Sequence, residues 1–413
     1  MLTLPIGRSL CSREPTPAET MRVLFLTDSL SDLDGIGRYT LRLVGALEQR
    51  IPGFEPRFLV GRKHRPVSSA VPAHWPWRVA LPPDYYMYMS PARYWASTAW
   101  SLPQVAWAAR ECDLVHATKD FPHSWLAMQG ARLAGKPCIA TAHGTYSVAP
   151  LDSARHRNAA VATLRHLDGL VCVSEYTKRQ VLQRVPSNTI PSERVLVVGN
   201  AVKAEHYAGA RPVGPREWHG RRYTLTIGEV KERKGHHLGL RAFAAVARTH
   251  TDLHHYIVGN AVNDAYHQQL LRWAEEAGCA GRVHFLGNVS EDEKVDLLQH
   301  ASVFLHTPVT AKDGGFEGFG IVYLEAAACG VPAIGTLDCG AEDAIVPGVT
   351  GLLVEQTVDS VRLALEHLLS SETVRKQLGA AARVHAQRSS WLDNADRVAE
   401  LYRTALQRHG GSA

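Results

Sequence analysis

The sequence predicts two successive doubly wound α/β domains that face one another across a cleft. Three observations carry this. From Met21 onward, short apolar runs alternate with longer amphipathic segments. The runs are continuously apolar rather than alternating, as strands of a parallel sheet covered on both faces are. The series is interrupted once, at GARPVGPREWHGRR (209–222), where Gly, Pro and charges replace apolar periodicity as in a domain linker. The domains are therefore expected at 21–205 and 222–390, with 391–413 a C-terminal helix that packs back on the first domain. A length of 413 residues agrees, at ~150 residues per domain.

Each element follows from its pattern. MRVLFLTD (21–28) reads as a buried strand and IGRYTLRLVGALEQR (36–50) as a helix with apolar residues three and four apart. RFLVG (57–61), DLVHA (113–117), PCIATAH (137–143), GLVCVS (169–174) and VLVVG (195–199) are further strands. Ser174 suits the N-cap of a helix over 174–185. After the linker come YTLTIG (223–228), a helix at 236–248, LHHYIVG (253–259), a helix at 264–277 and RVHFLG (282–287). A short helix at 291–299, SVFLH (302–306), a helix from about 320 to 329 and PAIGT (332–336) follow, and 357–408 reads as consecutive helices. Residues 74–107 depart from the alternation. They hold nine of the 31 aromatics and are expected to form a loop packed by its own side chains; an acceptor platform, a membrane-touching loop and a subunit interface are the other readings.

Composition excludes several classes. With 45% hydrophobic and 21% charged residues the chain is neither collagen, coiled coil nor disordered. No run approaches the ~18 uncharged apolar residues of a spanning helix. The net charge of +5 is unevenly placed: residues 1–205 carry 24 basic and 16 acidic side chains, the remainder 21 and 24. A basic first half suits an anionic acceptor or membrane surface. Without a dense Lys/Arg run or a nucleic-acid module, nucleic acid is not an expected partner. Seven cysteines without a C-x-x-C pair argue against a disulfide framework or zinc cage and for a reducing, cytoplasmic setting. Residues 1–20 lack a long apolar segment, so they read as a loose tail rather than a signal peptide, with Met21 as an alternative start.

The chemistry concentrates in HTPVTAKDGGFEGFGIVYLEAAACGVPAIGT (306–336). A glycine-rich turn leads from a strand into a helix. Gly314, Gly315, Gly318 and Gly320 let backbone N–H groups approach a ligand, and the helix N-terminus adds unpaired donors and a positive dipole end, which suits a diphosphate. Glu317 and Glu325 would be repelled by phosphates, so hydroxyls of a sugar and a ribose are their natural partners.

The spacing of Glu317 and Glu325 and the EAAACGVPAIGT that follows resemble the retaining GT-B glycosyltransferases of family 4. So do TGLLV (350–354), VCVSEYTKRQV (171–181), GNAV (199–202), KGHHLGLRAF (234–243), YIVGN (256–260) and FLGNV (285–289). The resemblance spans about 21–400. It implies a metal-independent transferase that uses a UDP- or GDP-sugar, needs no other cofactor and keeps the anomeric configuration of its donor. It also implies roles. Glu317 holds the donor sugar's hydroxyls, the N–H groups of Gly318, Phe319 and Gly320 hold sugar and phosphate oxygens, and Glu325 holds the ribose. Lys234 neutralises the departing diphosphate. His143 lies under the donor sugar, and Gly35 and Gly37 form the first-domain loop over the diphosphate. The acceptor is left open among a glycan, a lipid-linked and a small-molecule hydroxyl, with peripheral contact at the inner membrane face.

One departure stands out. The family's arginine after the glycine ending the second domain's first strand is Glu229 here, so the two-cation clamp is halved, or rebuilt from Lys231 or Arg233, with Arg233 favoured. His116 is a further cleft candidate. DGIGRYT (34–40) lacks the third glycine of a dinucleotide fingerprint. Asp32-Leu33-Asp34 is a D-x-D in the wrong context for metal binding and reads as loop and helix-start acids. A metal-free nucleotide-sugar epimerase and a silent nucleotide-sugar-binding protein are the alternatives; acceptor-dependent release of nucleoside diphosphate separates both from a transferase. No carboxylate is required beneath the anomeric carbon, so front-face substitution is expected rather than double displacement.

Overall fold

The apolar runs of the first half assemble into one parallel sheet. In this computed structural model, which describes residues 20–32, 34–62 and 71–411, β1 (Met21–Thr27), α1 (Gly35–Arg50), β2 (Phe54–Gly61), β3 (Trp77–Leu81), α2 (Pro91–Arg110), β4 (Leu114–Ala117) and α3 (His123–Ala134) come first. They are followed by β5 (Cys138–Ala142), α4 (Thr145–Asp152), α5 (Arg157–His166), β6 (Gly169–Cys172), α6 (Glu175–Gln183) and β7 (Val195–Val197). The strand order is β3-β2-β1-β4-β5-β6-β7. The tail (1–19), Cys11 and Leu33 of the D-x-D lie outside the described residues.

The second domain repeats the plan. β8 (Arg222–Ile227), α7 (His236–Val246), β9 (Leu253–Val258), α8 (Asp264–Glu276), β10 (Val283–Gly287), α9 (Glu291–His300) and β11 (Val303–Leu305) are followed by α10 (Ile321–Ala328), β12 (Ala333–Thr336), α11 (Ala341–Ala344) and β13 (Gly351–Val354). The sheet order is β10-β9-β8-β11-β12-β13, all parallel. In each sheet the order reverses beside the first strand, between β1 and β4 and between β8 and β11. Such switch points open crevices at the carboxyl ends of the strands. The predicted architecture, two doubly wound domains across a cleft, is the observed one.

Three helices close the chain: α12 (Val358–Ser370), α13 (Glu372–Arg388) and α14 (Trp391–Gly410). α14 lies on α1 of the first domain. Leu401 fits over Gly169, where an added Cβ would come within 2.9 Å of its side chain, and Arg50 pairs with Asp396 at 3.3 Å. One apolar core therefore runs from Phe25 and Val44 through Val398 and Tyr402 into Tyr223 and Phe304 of the second sheet. Separate cores cover the outer face of each sheet. Asp34 caps α1 by accepting from the N–H of Gly37 at 2.7 Å, and Tyr39, Leu43, Val44 and Leu47 form its buried stripe. Ser174 caps α6, accepting from Thr177 N at 2.9 Å.

Two expectations need correcting. Residues 74–107 are not a self-packed loop. They supply the edge strand β3, paired with β2, and most of the 20-residue helix α2, which packs on α3. The prolines and aromatics obscured this, because Pro91 starts the helix and Pro103 is tolerated inside it. His116 does not line the cleft. It is wholly buried, with Nδ1 2.6 Å from the Tyr402 hydroxyl and Nε2 2.9 Å from Thr141 Oγ1.

Candidate active site

The glycine-rich turn meets the first domain at the mouth of the cleft. Gly318 lies against the His143–Gly144 backbone so closely that a Cβ on it would stand 1.8 Å from the His143 carbonyl oxygen. Its own carbonyl accepts from Ser174 Oγ at 2.6 Å and Thr177 Oγ1 at 3.3 Å. Thr145 and Phe316 exchange two bonds of 2.9 Å, and Glu317's carbonyl accepts from Gly340 N at 2.7 Å. These contacts hold Glu317 and the start of α10 rigidly. Gly320 is the N-cap of α10 and offers no side-chain cap, which leaves first-turn N–H groups for a ligand.

Lys234 reaches Glu317 from the turn after β8. Gly235 makes that turn feasible: its φ is +68°, and a Cβ there would lie 1.7 Å from the Thr307 carbonyl oxygen. The Lys234 ammonium contacts Glu317 Oε2, while Arg233 Nη1 and His306 Nε2 each stand 3.8 Å from the same oxygen. Burial alone would raise the Glu317 carboxyl, but Lys234, His306 and Arg233 outweigh it and hold the group well below the usual carboxylate range. Arg233 also donates to the Phe316 carbonyl at 3.3 Å.

Glu229 does not face an empty clamp. It pairs with Lys231, and that bond, with Lys234 and Arg233 nearby, outweighs burial and lowers its carboxyl pKa. Lys231 is lowered by burial and by Arg233. Of the two replacement cations, only Arg233 is directed at Glu317.

Glu325, on the buried side of α10, accepts from Arg38 Nη1 at 2.9 Å and Lys294 Nζ at 3.2 Å. Its Oε2 is buried without a hydrogen-bond partner. On the first-domain side, His143 follows β5. Its N–H donates to Asp120 Oδ1 at 3.0 Å, its Nε2 lies 2.9 Å from the Thr118 carbonyl, and Tyr39 packs edge-on at 4.8 Å. Burial lowers its pKa, so the ring is neutral and Nε2 is the donor. The Lys119–Asp28 pair, 2.6 Å long, sits at the ends of β4 and β1. Gly35 and Gly37 open α1, and Gly37 has no room for a Cβ beside Ser31. Phe319 is buried, with its ring against Gly199.

The structure thus brings Glu317, Lys234, Arg233, Gly318, Gly320 and His143 to one place, with Glu325 further along α10. Sequence reasoning missed Arg38, His306 and Asp120. Each follows a strand or the DGIG loop, a positional signal too weak to separate one His or Arg from many.

Among the described residues, His219, Asp296 and His300 have ligand-type atoms within 4.8 Å of one another. Arg216 N–H donates to His219 Nδ1 at 3.2 Å, so Nε2 carries the proton that it gives to Asp296 Oδ2 at 2.8 Å. His300 Nδ1 likewise donates to the Asp296 carbonyl at 2.8 Å. Both nitrogens are committed, and the cluster is a hydrogen-bonded seam between linker and α9.

Two facing doubly wound domains with a phosphate-suited turn between them define a GT-B glycosyltransferase. Models described as Glycosyltransferase Family 4 and Glycosyl transferases group 1 match residues 33–206 and 215–385. The GDP-mannose-dependent alpha-(1-6)-phosphatidylinositol monomannoside mannosyltransferase of Mycolicibacterium smegmatis is 30% identical over 292 residues, 67% of this chain and 73% of that protein. The corresponding enzyme for monoacylated phosphatidylinositol monomannoside from Corynebacterium glutamicum is 29% identical over 307 residues, 71% of this chain and 76% of the other. Among solved structures, Anabaena HepE with UDP superposes with a TM-score of 0.71 at 20% identity, covering 92% of this chain and 99% of that one. Sucrose-phosphate synthase from Thermosynechococcus elongatus gives 0.72 at 18%, covering 94% and 100%. The chain belongs to glycosyltransferase family 4, and it is an enzyme of the hexosyltransferase kind that uses a nucleotide sugar.

Proposed function

We propose that the protein transfers a hexosyl residue from a nucleoside-diphosphate sugar to an acceptor hydroxyl with retention of anomeric configuration, without a metal ion or other cofactor. The observation that carries this reading is the Lys234–Glu317 pair just before the uncapped start of α10, next to Gly318, whose backbone packs on that of His143. Glu317 takes the sugar hydroxyls, the amides of Gly318, Phe319 and Gly320 take sugar and phosphate oxygens, and Glu325 takes the ribose. Lys234 and Arg233 take the diphosphate, His143 lies beneath the sugar, and the Gly35–Gly37 loop covers the phosphates.

In this scheme the bond between the anomeric carbon and the diphosphate oxygen breaks as the acceptor oxygen attacks the same face. The departing phosphate takes the acceptor proton, and Lys234, Arg233 and the helix end stabilise its charge. His143, neutral and donating to Thr118, is available as a fixed dipole rather than a base. Domain closure excludes water.

The named relatives at 29–30% identity make GDP-mannose the first donor to try and a phosphatidylinositol-type lipid the first acceptor. A peripheral site at the cytoplasmic face of a membrane fits this acceptor. No helix among the described residues is long and apolar enough to cross a membrane. Trp100 and Trp107 on α2 are exposed, with Arg62 3.8 Å and Arg78 4.9 Å from their ring centroids, a pairing suited to an anionic interface.

Thermal melting against UDP- and GDP-sugars, with and without EDTA, tests the reading. A donor at ~100 times its dissociation constant adds about 2.7 kcal/mol of stability. A shift with one donor, unchanged by EDTA, is expected; no shift with any donor overturns it.

A further inference from the structure

His306 is the group beneath Glu317 whose chemistry is otherwise unassigned. It directly follows β11, is wholly buried, and its ring is tilted against Tyr323 at 5.3 Å, whose hydroxyl donates to the His306 carbonyl at 2.7 Å. Neither ring nitrogen has a hydrogen-bond partner. Nε2 stands 3.8 Å from Glu317 Oε2, too far for a hydrogen bond and close enough to form one after a small movement of the carboxylate. A buried imidazole with two unused nitrogens costs free energy, and a second arrangement that satisfies one of them offsets it.

Donor binding supplies the reason for that arrangement. In the free protein the Glu317 carboxylate is balanced by the Lys234 ammonium, and the diphosphate competes for the same cation. A buried carboxylate that loses its only close partner is strongly disfavoured. Arg233 is also drawn toward phosphate. His306 is wholly buried and carries no charge to be drawn toward phosphate, so it stays with Glu317.

We propose that His306 is a positioning residue for Glu317: as Lys234 moves to the diphosphate, Nε2–H of His306 closes on Glu317 Oε2 and holds the carboxylate toward the donor sugar's hydroxyls. The proposal rests on the nucleotide-sugar reading of the cleft and deepens it. Burial lowers the pKa of His306 against the pull of Glu317, so the donating ring is neutral. Its contribution is therefore constant across neutral and mildly alkaline pH.

The readout that separates this from a packing role is the sugar increment, the ratio of affinities for a nucleotide sugar and its bare nucleoside diphosphate. GDP against GDP-mannose and UDP against UDP-glucose, titrated by calorimetry, measure it. His306→Leu is expected to bind the nucleoside diphosphate as the parent does and to lose about tenfold of the sugar increment, with kcat reduced. His306→Gln, which keeps an N–H of similar reach, is expected to restore most of it. Should His306→Leu fail to fold, His306→Asn, whose amide is too short to reach Oε2, takes its place. An undiminished sugar increment in the Leu or Asn variant overturns the proposal while leaving the donor reading intact. A parent protein that binds no nucleotide sugar overturns both.

Discussion

Arg38 in the first turn of α1 donates to Glu325 in α10 at 2.9 Å, an ion pair that joins the two domains across 287 positions of sequence. Glu325 is almost fully buried and shares the same oxygen with Lys294 at 3.2 Å. Arg38 itself is about a quarter exposed and is also held by the Asp32 carbonyl at 2.8 Å. The carboxylate assigned to the ribose is thus fixed from both sides of the cleft.

Replacing Arg38 by Ala leaves Lys294 to balance Glu325, so the expected cost is modest, about 1 kcal/mol, the range of a partly solvated pair. Domain opening is expected to respond more than global stability. Solution scattering of Arg38→Ala should show a larger radius of gyration than the parent; an unchanged value removes Arg38 as an interdomain tie.

Gly318→Ala tests the close approach at His143. A Cβ 1.8 Å from a backbone oxygen cannot be accommodated without separating the turn from the first domain. Transferase activity is expected to fall by 100-fold or more, since misplacing reacting groups by about 1 Å costs on that order. Near-parental activity would refute the contact.

The cation replacing the family arginine is testable by a pair of substitutions. Arg233 faces Glu317, whereas Lys231 is engaged by Glu229. Arg233→Ala is expected to weaken nucleoside diphosphate affinity about tenfold, or about 1.4 kcal/mol. Lys231→Ala should change it less than about threefold, under about half of that energy. Calorimetric titration with GDP and UDP decides, and the reverse order moves the clamp to Lys231.

Stability should fall as the pH drops below the value at which an unfolded histidine titrates. Burial pulls His116 and His236 down to about 3, whereas an unfolded histidine titrates near 6.5. Between these values the unfolded chain binds protons that the folded chain refuses, so stability is complete above pH ~6.5 and is lost progressively toward pH 3. The slope is roughly 1.4 kcal/mol per pH unit for each such histidine. Melting curves between pH 7.5 and 5 should descend, and His116→Gln should flatten them. Glu317 acts in the same direction over a lower range: its lowered carboxyl pKa keeps its contribution intact down to about pH 4.5 and loses it only below.

Much of the fold was legible because continuous apolar runs and 3.6-residue periodicity are local signals, and the strands at 21–28, 137–143 and 223–228 needed nothing else. Residues 74–107 were not legible. β3 is an edge strand whose pairing with β2 is non-local, and α2 presents Trp95, Trp100 and Trp107 to the surface where an amphipathic helix ordinarily carries polar groups. His116 misled for a related reason: the end of a strand points either into a cleft or under a neighbouring helix, and only the return of α14 over the first domain placed Tyr402 against it.

The sequence by itself determined the two α/β domains, the glycine turn before α10 and the residue types that contact a sugar diphosphate, because periodicity, backbone freedom and charge are properties of neighbours in the chain. The tertiary structure decided which cation faces Glu317, that Arg38 and Lys294 close on Glu325, and that His306 lies beneath the site. Those relations depend on where separate strands end relative to one another, and that distance is written in packing rather than in spacing.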